Sequence, residues 1–105
     1  MDKVQSGERT IRISDEVLSK VASLAVREVE GVAHLAAPGM MTSPVTIENL
    51  GGAVAVTVRV VLKNGYRAVS VAKQIQQTVK QSVQDMTGVT AVNVNVEVSG
   101  VEFDV

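Results

Sequence analysis

Apolar residues alternate with small or polar residues along several stretches of the chain, and this two-residue period predicts β-strands. The clearest pair is VTIENL over residues 45–50 and AVAVTVRVVLK over residues 53–63, separated by Gly51–Gly52. Two alternating runs joined by Gly-Gly are typical of a β-hairpin. The longer run has one uniformly apolar face, which we expect to point into the core. This face consists of Val54, Val56, Val58, Val60 and Leu62.

Two more strands are predicted near the ends of the chain. The stretch ERTIRI over residues 8–13 places Ile11 and Ile13 on one face. It follows a polar segment, residues 1–7, that we expect to be flexible. The last strand begins near Ala91, and we expect its even-numbered valines to face the core. These are Val92, Val94, Val96 and Val98.

The last strand changes its apolar face at Ser99–Gly100, because Val101, Phe103 and Val105 occupy odd positions. A β-bulge with the glycine at its first position would insert one residue and return Val101 and Phe103 to the core face. Without a bulge, the same side chains would emerge on the opposite face as an apolar patch suited to pairing with another chain. We expect the exposure of Phe103 to distinguish these interpretations.

Two segments carry apolar residues at the spacing of an amphipathic helix. The first is predicted over residues 15–30, with Ser14 as its N-cap, acidic residues in its first turn and Gly31 as its C-terminal stop. The second is predicted over residues 67–87 and ends at Gly88. Its expected buried stripe is Ala68, Ala72, Ile75, Val79, Val83 and Met86.

Residues 33–44 contain both prolines and show no sustained period, which predicts a loop. A short extended piece at Val32–Leu35 is expected to open it. His34 is the only histidine, and we expect an ordinary loop residue. Because the chain has no second histidine and no cysteine, we expect no metal site, no Ser–His–acid arrangement and no bound cofactor.

The order strand, helix, strand, strand, helix, strand predicts an α+β fold. Two helices on one face of a four-stranded, mostly antiparallel sheet would bury every apolar surface in a two-layer sandwich. The βαββαβ order resembles a split βαβ arrangement, although the sequence does not fix which strands are neighbours. A chain of 105 residues fits one domain, which we place at residues 8–105.

Two layers leave the second face of the sheet open, and the residues predicted there are polar and mostly short. An open face of this kind is either solvated or an interaction surface. We treat Arg12, Thr57, Arg59, Asn93, Asn95 and Glu97 as a candidate interaction face, together with Phe103 at the end of the chain. Its other expected members are Thr46, Glu48 and Ala55.

A second candidate contact lies at the end of the first predicted helix. Glu28 and Glu30 are acidic residues at the helix terminus that the macrodipole makes unfavourable for anions. The corner is either a solvated helix end or a contact site.

The composition narrows the class of function. Ten basic residues nearly balance eleven acidic ones, which argues against a general nucleic-acid binder. The stretch MDKVQSGERT has no apolar core of a signal peptide, and no apolar run approaches the roughly 20 residues of a membrane span. We therefore expect any membrane association to go through a partner or a surface contact, and the absence of cysteine favours a cytoplasmic protein.

Four short stretches occur in an order and spacing that resemble one known family. They are EVEGV (Glu28–Val32), VAKQIQ (Val71–Gln76), MTG (Met86–Gly88) and VNVNVEVSGVEF (Val92–Phe103). The chain resembles the alkaline shock protein family of Gram-positive bacteria, also called the envelope stress response family, over residues 8–103. The resemblance implies a cytoplasmic, non-enzymatic protein linked to envelope stress. It also implies self-assembly and association with a membrane-anchored protein partner.

Two hypotheses for the function follow. The first is a protein-interaction or scaffold module that forms a homo-oligomer or binds a membrane-anchored partner. The alternative is an RNA-associated regulator, based on the small α+β sandwich and on Arg12, Arg59, Lys63 and Arg67. No enzymatic activity is expected.

Overall fold

The computed structural model describes residues 13–36 and 43–103. In chain order, its elements are α1 (Asp15–Arg27), β1 (Val32–Leu35), β2 (Val45–Asn49), β3 (Ala53–Lys63), α2 (Ala68–Thr87) and β4 (Thr90–Glu102). The predicted α+β fold is confirmed, and the expected extended piece at Val32–Leu35 is strand β1. The predicted strand at residues 8–13, apart from Ile13, and the N-terminal segment 1–7 lie outside the described residues.

Helix α1 begins and helix α2 ends at the predicted signals. The Ser14 side chain accepts a hydrogen bond from the Val17 amide at 3.2 Å, which caps α1. Helix α1 ends at Arg27, three residues earlier than predicted, and residues 28–31 form turns. Helix α2 ends at Gly88, whose φ of 75° is the left-handed conformation typical of a glycine C-cap.

Strand β3 is the centre of the sheet. Strands β1 and β2 pair with it in antiparallel orientation, one after the other along the same side, and β4 pairs with its other side in parallel orientation. The split βαβ arrangement is therefore wrong, since β3 and β4 are directly hydrogen-bonded with no strand between them. Helix α2 connects these two parallel strands, as parallel neighbours require a crossover connection.

The core lies between the helices and one face of the sheet. The predicted core face of β3 is confirmed, with Val56, Val58 and Val60 completely buried. Helix α1 packs mainly over β1 and β2, and α2 packs over β4. The buried stripe of α2 ends at Val83, because Met86 lies in the last turn and is exposed.

The first part of β4 contains a bulge that the alternation did not reveal. Ala91 pairs with Val54, and Asn93 pairs with Ala55, so Val92 is an extra residue. Ala91 is buried and Val92 is 43% exposed, which makes the predicted core position of Val92 wrong. The inserted residue turns the strand locally, and the smaller side chain enters the core instead.

Of the two interpretations for Ser99–Gly100, the structure shows the bulge, but this bulge differs in two respects from the form expected. Val98 pairs with Val60 and Gly100 with Val61, so Ser99 is the extra residue. The glycine does not adopt a positive φ.

The bulge also does not bury the end of the strand. Val101 returns to the core face beside Leu62, yet it is 45% exposed, and Phe103 is 63% exposed. The exposure of Phe103 therefore does not distinguish the two interpretations, because the described residues leave this end of the core face uncovered.

Candidate interaction surface on the open face of the sheet

The centre of the open face is a flat area of short side chains. Pairing places Thr57 between Thr46 and Asn95, because directly opposed residues share a face. The Asn95 Nδ2 donates to the Thr57 Oγ1 at 3.5 Å. In the neighbouring row, Ala55 lies between Glu48 and Asn93. No helix of the described residues lies over this area.

One ion pair crosses the face beside this centre. The Arg59 Nε donates to Glu97 Oε1 at 3.2 Å, and its Nη1 donates to the Ser43 carbonyl oxygen at 3.0 Å. The Arg59 side chain is 29% exposed and that of Glu97 is 57% exposed. An ion pair this exposed contributes about 0–1 kcal/mol to stability, so its main effect is to fix the position of the guanidinium.

The end of the open face carries two residues that the sequence analysis did not place there. His34 lies in β1 opposite Val61, so its assignment to a loop is wrong. Its Nδ1 lies 2.8 Å from the Leu35 carbonyl oxygen, and its Nε2 lies 3.5 Å from Glu102 Oε2. The alternation of apolar and polar residues did not reveal the contact between His34 and Glu102, because a register shift precedes each of these residues in its strand.

The corner after α1 is a joint within the chain. The Tyr66 hydroxyl donates to Glu30 Oε2 at 3.1 Å. This hydrogen bond and the negative charge of the carboxylate raise the pKa of Tyr66. Glu30 thus connects α1 to the segment that begins α2, whereas Glu28 is exposed.

Gly31 allows the close approach at this corner. Its φ is 99°, and a Cβ atom there would lie 2.8 Å from Val71 Cγ2 and 2.9 Å from Tyr66 Cδ1. The Lys63 amide also donates to the Gly31 carbonyl oxygen at 2.8 Å. Glycine is required here both by conformation and by space.

The structure brings together most of the predicted interaction face. Phe103 follows the last residue of β4 and is exposed. Arg12 lies outside the described residues. The members that share the open face are Thr57, Arg59, Asn93, Asn95 and Glu97.

Two of the basic residues behind the RNA alternative have acidic neighbours in the sheet. Arg59 is paired with Glu97, and Lys63 lies opposite Glu102 in the sheet. Within residues 13–36 and 43–103, no group of three or more His, Asp or Glu side chains is placed to hold a metal ion. No helix in the same part of the chain is both long and apolar enough to cross a bilayer.

Comparison with known proteins agrees with this fold. The MamM-CTD H264A variant is similar over 85% of this chain and 100% of its own, with a TM-score of 0.59 and 13% identity. The copper form of another MamM CTD variant covers 83% of this chain with a TM-score of 0.56 and 14% identity. At this level of identity the likeness concerns the fold alone.

Sequence comparison identifies the family. The uncharacterized protein YqhY of Bacillus subtilis (strain 168) is 25% identical, over 90% of this chain and 78% of its own length. The family model of the alkaline shock proteins, described by a cell envelope-related function, matches residues 3–103. The chain therefore belongs to the alkaline shock protein family, as its four sequence motifs predicted, and its function is related to the cell envelope.

Proposed function

We propose that the protein is a non-catalytic interaction module that binds a membrane-anchored protein partner at the cytoplasmic side of the envelope and also self-associates. The open face of the sheet is the single observation that carries this proposal, and family membership supports its link to the envelope. The partner contact would use the area around Thr57 and Asn95, with Arg59 and Glu97 at its border.

The side chains of this face suit a protein contact. Threonine, asparagine and alanine present short groups that lose less conformational entropy on burial than lysine, glutamate or glutamine. Arg59 and Glu97 lie beside them in an ion pair, as in interfaces whose centre is poor in charge and whose rim is polar. A partner that covers Thr57 and Asn95 would therefore meet the charges of Arg59 and Glu97 already paired.

The test is affinity capture of the tagged full-length protein from its own cells, with membrane and soluble fractions analysed separately by mass spectrometry. Wild-type protein should recover a membrane-anchored protein. Asn95→Lys places a charge at the centre of the open face and should lower that recovery roughly tenfold or more, a loss of about 1.4 kcal/mol of binding energy.

Gln77→Lys is the matched control, since it makes a similar amide-to-ammonium change at an exposed position of α2. It should leave recovery unchanged. Equal recovery by wild type and Asn95→Lys would contradict the assignment of the open face. Capture of nuclease-sensitive RNA with RNA-processing proteins, and of no membrane protein, would contradict the proposed function itself.

A further inference from the structure

The outer edge of β4 is the long strand edge that the described residues leave unpaired. Its inner edge pairs with β3 along the whole strand. On the outer side, the Gln76 Nε2 donates to the Val94 carbonyl oxygen at 3.0 Å. Gln76 therefore caps the edge at one point in its first half, and such side-chain caps discourage pairing with another strand.

The second half of the edge has no such cap among the described residues. Backbone groups of successive strand residues point alternately inward and outward, so the outward Val94 carbonyl implies that Val96 and Val98 also point outward. Beyond the bulge, the Glu102 carbonyl oxygen accepts from the Asn64 amide and points inward. Val101 then points outward, which gives three residues with outward hydrogen-bonding groups.

Exposed apolar side chains accompany this part of the edge. Val98 and Val101 are 40% and 45% exposed on the core face, and Phe103 follows them at 63%. Val69 is 68% exposed and lies seven residues before Gln76, so it occupies the same flank of α2. An additional strand beside β4 would cover this apolar strip and satisfy the backbone groups together.

We propose that a second copy of this chain supplies that strand, with the two β4 strands pairing in antiparallel orientation around a two-fold axis at Val98. The inference specifies the self-association part of the proposed function and rests on it. The paired edges would form one continuous sheet through about six backbone hydrogen bonds.

The strand is self-complementary in this register. With Ser99 as the extra residue in both copies, Val98 lies opposite Val98, and Val96 lies opposite Val101 of the second copy. All these residues are on the core face. The same bulge in both copies thus preserves the match of apolar faces, which a one-residue slip would destroy.

Charges on the open face favour the same register. Glu97 lies opposite Gly100 of the second copy, and Asn95 lies opposite Glu102, an amide facing a carboxylate. An axis at Glu97 would place two Glu97 side chains opposite each other, and an axis at Gly100 would oppose Glu97 to Glu102. Like charges directly opposed across strands are destabilising.

The axis at Val96 is also disfavoured. It would pair Val94 with Val98 of the second copy, and the Val94 carbonyl oxygen is already bonded to Gln76.

The chain's own N-terminal segment is the competing occupant, and the experiments below distinguish it from a second copy. The Asn49 Nδ2 donates to both carboxylate oxygens of Asp15 at 3.1 and 3.2 Å, which ties the start of α1 to the end of β2. Strand β2 lies on the opposite side of β3 from β4. Helix α1 therefore begins near the β2 edge, on the side of β3 away from β4.

A single cysteine can report the register, because the chain contains none. The Cα atoms of a hydrogen-bonded antiparallel pair lie about 5.5 Å apart, within the roughly 4.4–6.8 Å that a disulfide spans. Val98→Cys should give a covalent dimer under mild oxidation. Val96→Cys and the α1 control Leu24→Cys, at a position 51% exposed, should stay largely uncrosslinked. Equal crosslinking of all three variants would overturn the proposal.

Sedimentation of the full-length chain provides the second readout. Wild type should show a concentration-dependent dimer, and Val98→Lys should weaken it roughly tenfold or more, since two ammonium groups would meet at the axis. Leu24→Lys should not weaken it, and circular dichroism of both variants checks the fold. A dimer that Val98→Lys leaves intact would overturn the proposal.

A wild-type chain that is monomeric at every concentration would also overturn it. If the wild type were monomeric and the Ile11→Asp variant dimerised, the N-terminal segment would be the occupant of the β4 edge in the wild type. A monomer that still captures the membrane partner would contradict this inference and the self-association part of the proposed function, and would support its partner-binding part. A Val98-centred dimer that captures no membrane partner would support this inference and contradict the partner-binding part of the proposed function.

Discussion

The two halves of β4 share one sequence pattern and have different surroundings. Before Val96, the core-facing Ala91 and Val94 are 4% and 6% exposed beneath α2. After it, Val98 and Val101 point to the same face and are 40% and 45% exposed. Between register shifts, alternating valines thus indicate which face a side chain occupies, whereas its burial depends on what covers that face. The half that stabilises the monomer and the half available for contacts are parts of one strand.

The corner between α1 and α2 holds the start of the covering helix. Tyr66 bonds to Glu30 and packs with Val71 against Gly31, and the buried stripe of α2 starts at that valine. The joint therefore fixes where α2 begins, while Val98 and Val101 stay exposed on the core face of β4. Substitutions in the core, at this joint and in the bulge of β4 therefore test separately why the two halves of the strand differ.

The largest expected effect is in the covered half. Ile75 is completely buried in α2, so Ile75→Ala should lower the free energy of unfolding by about 2–5 kcal/mol through lost burial and a cavity. Val98→Ala removes side-chain atoms that are already partly hydrated and should cost about 1 kcal/mol or less. Urea unfolding at a concentration that keeps the chain monomeric measures both. Equal losses would show that the second half of β4 is covered in the monomer.

The next effect is at the joint. Gly31→Ala should cost about 1–2 kcal/mol for the left-handed backbone, and roughly 1–3 kcal/mol more for the overlap with Tyr66 and Val71. Gly51→Ala is the control, because its φ is 66° and no atom lies within 4 Å of an added Cβ. It should show the backbone cost alone. If both variants lose the same stability, the close packing at Gly31 does not hold α2 in place.

A smaller effect concerns the ionisation of Tyr66. The hydrogen bond to Glu30 and the carboxylate charge raise the pKa of Tyr66 in the folded protein above its ordinary value of 10.0. The unfolded state therefore loses this proton first, so the stabilisation is fully present below about pH 10 and is lost as the pH rises through the folded pKa. The difference in unfolding free energy between wild type and Tyr66→Phe should be constant from pH 7 to 9.

The difference in unfolding free energy between wild type and Tyr66→Phe should decline above pH 10. Denaturant unfolding of both proteins at each pH isolates Tyr66 from the other groups that titrate in this range. Glu30→Gln keeps a hydrogen-bond acceptor and removes the charge, so it should reduce the pH dependence. A constant difference up to pH 11 would contradict the link between Tyr66 and Glu30.

Sequence patterns were sufficient for the elements and insufficient for the places where the register shifts. The uniform face of β3, the cap at Ser14 and the C-cap at Gly88 are local properties, and each was predicted from neighbouring residues. The exposed Val92 and the position of His34 on the open face depend on extra residues in β4 and β1. No local signal marks such an insertion when valine or alanine is the extra residue.

The candidate interaction surface also contains residues that alternation predicted and residues whose position depends on a register shift. Thr57, Asn95 and Glu97 lie between the two bulges of β4 or opposite that stretch, so their shared face followed from alternation alone. Glu102 lies beyond the second bulge, and its contact with His34 requires both shifts. The exposure of Val101 was not predictable because it depends on the position of α2, which the joint with Tyr66 sets over a long sequence separation.

The smallest effect distinguishes the bulge at Ser99 from a bulge that needs glycine. Gly100 has no positive φ, and no atom lies within 4 Å of a Cβ added there. Gly100→Ala should therefore be neutral or stabilise the protein by roughly 0.5 kcal/mol, since glycine in a strand carries an entropic cost. Gly88→Ala is the control with equal space but a φ of 75°, and it should lose about 1–2 kcal/mol. If thermal unfolding shows equal losses, the second half of β4 depends on glycine at Gly100, and the register that brings Val101 to the core face depends on it too.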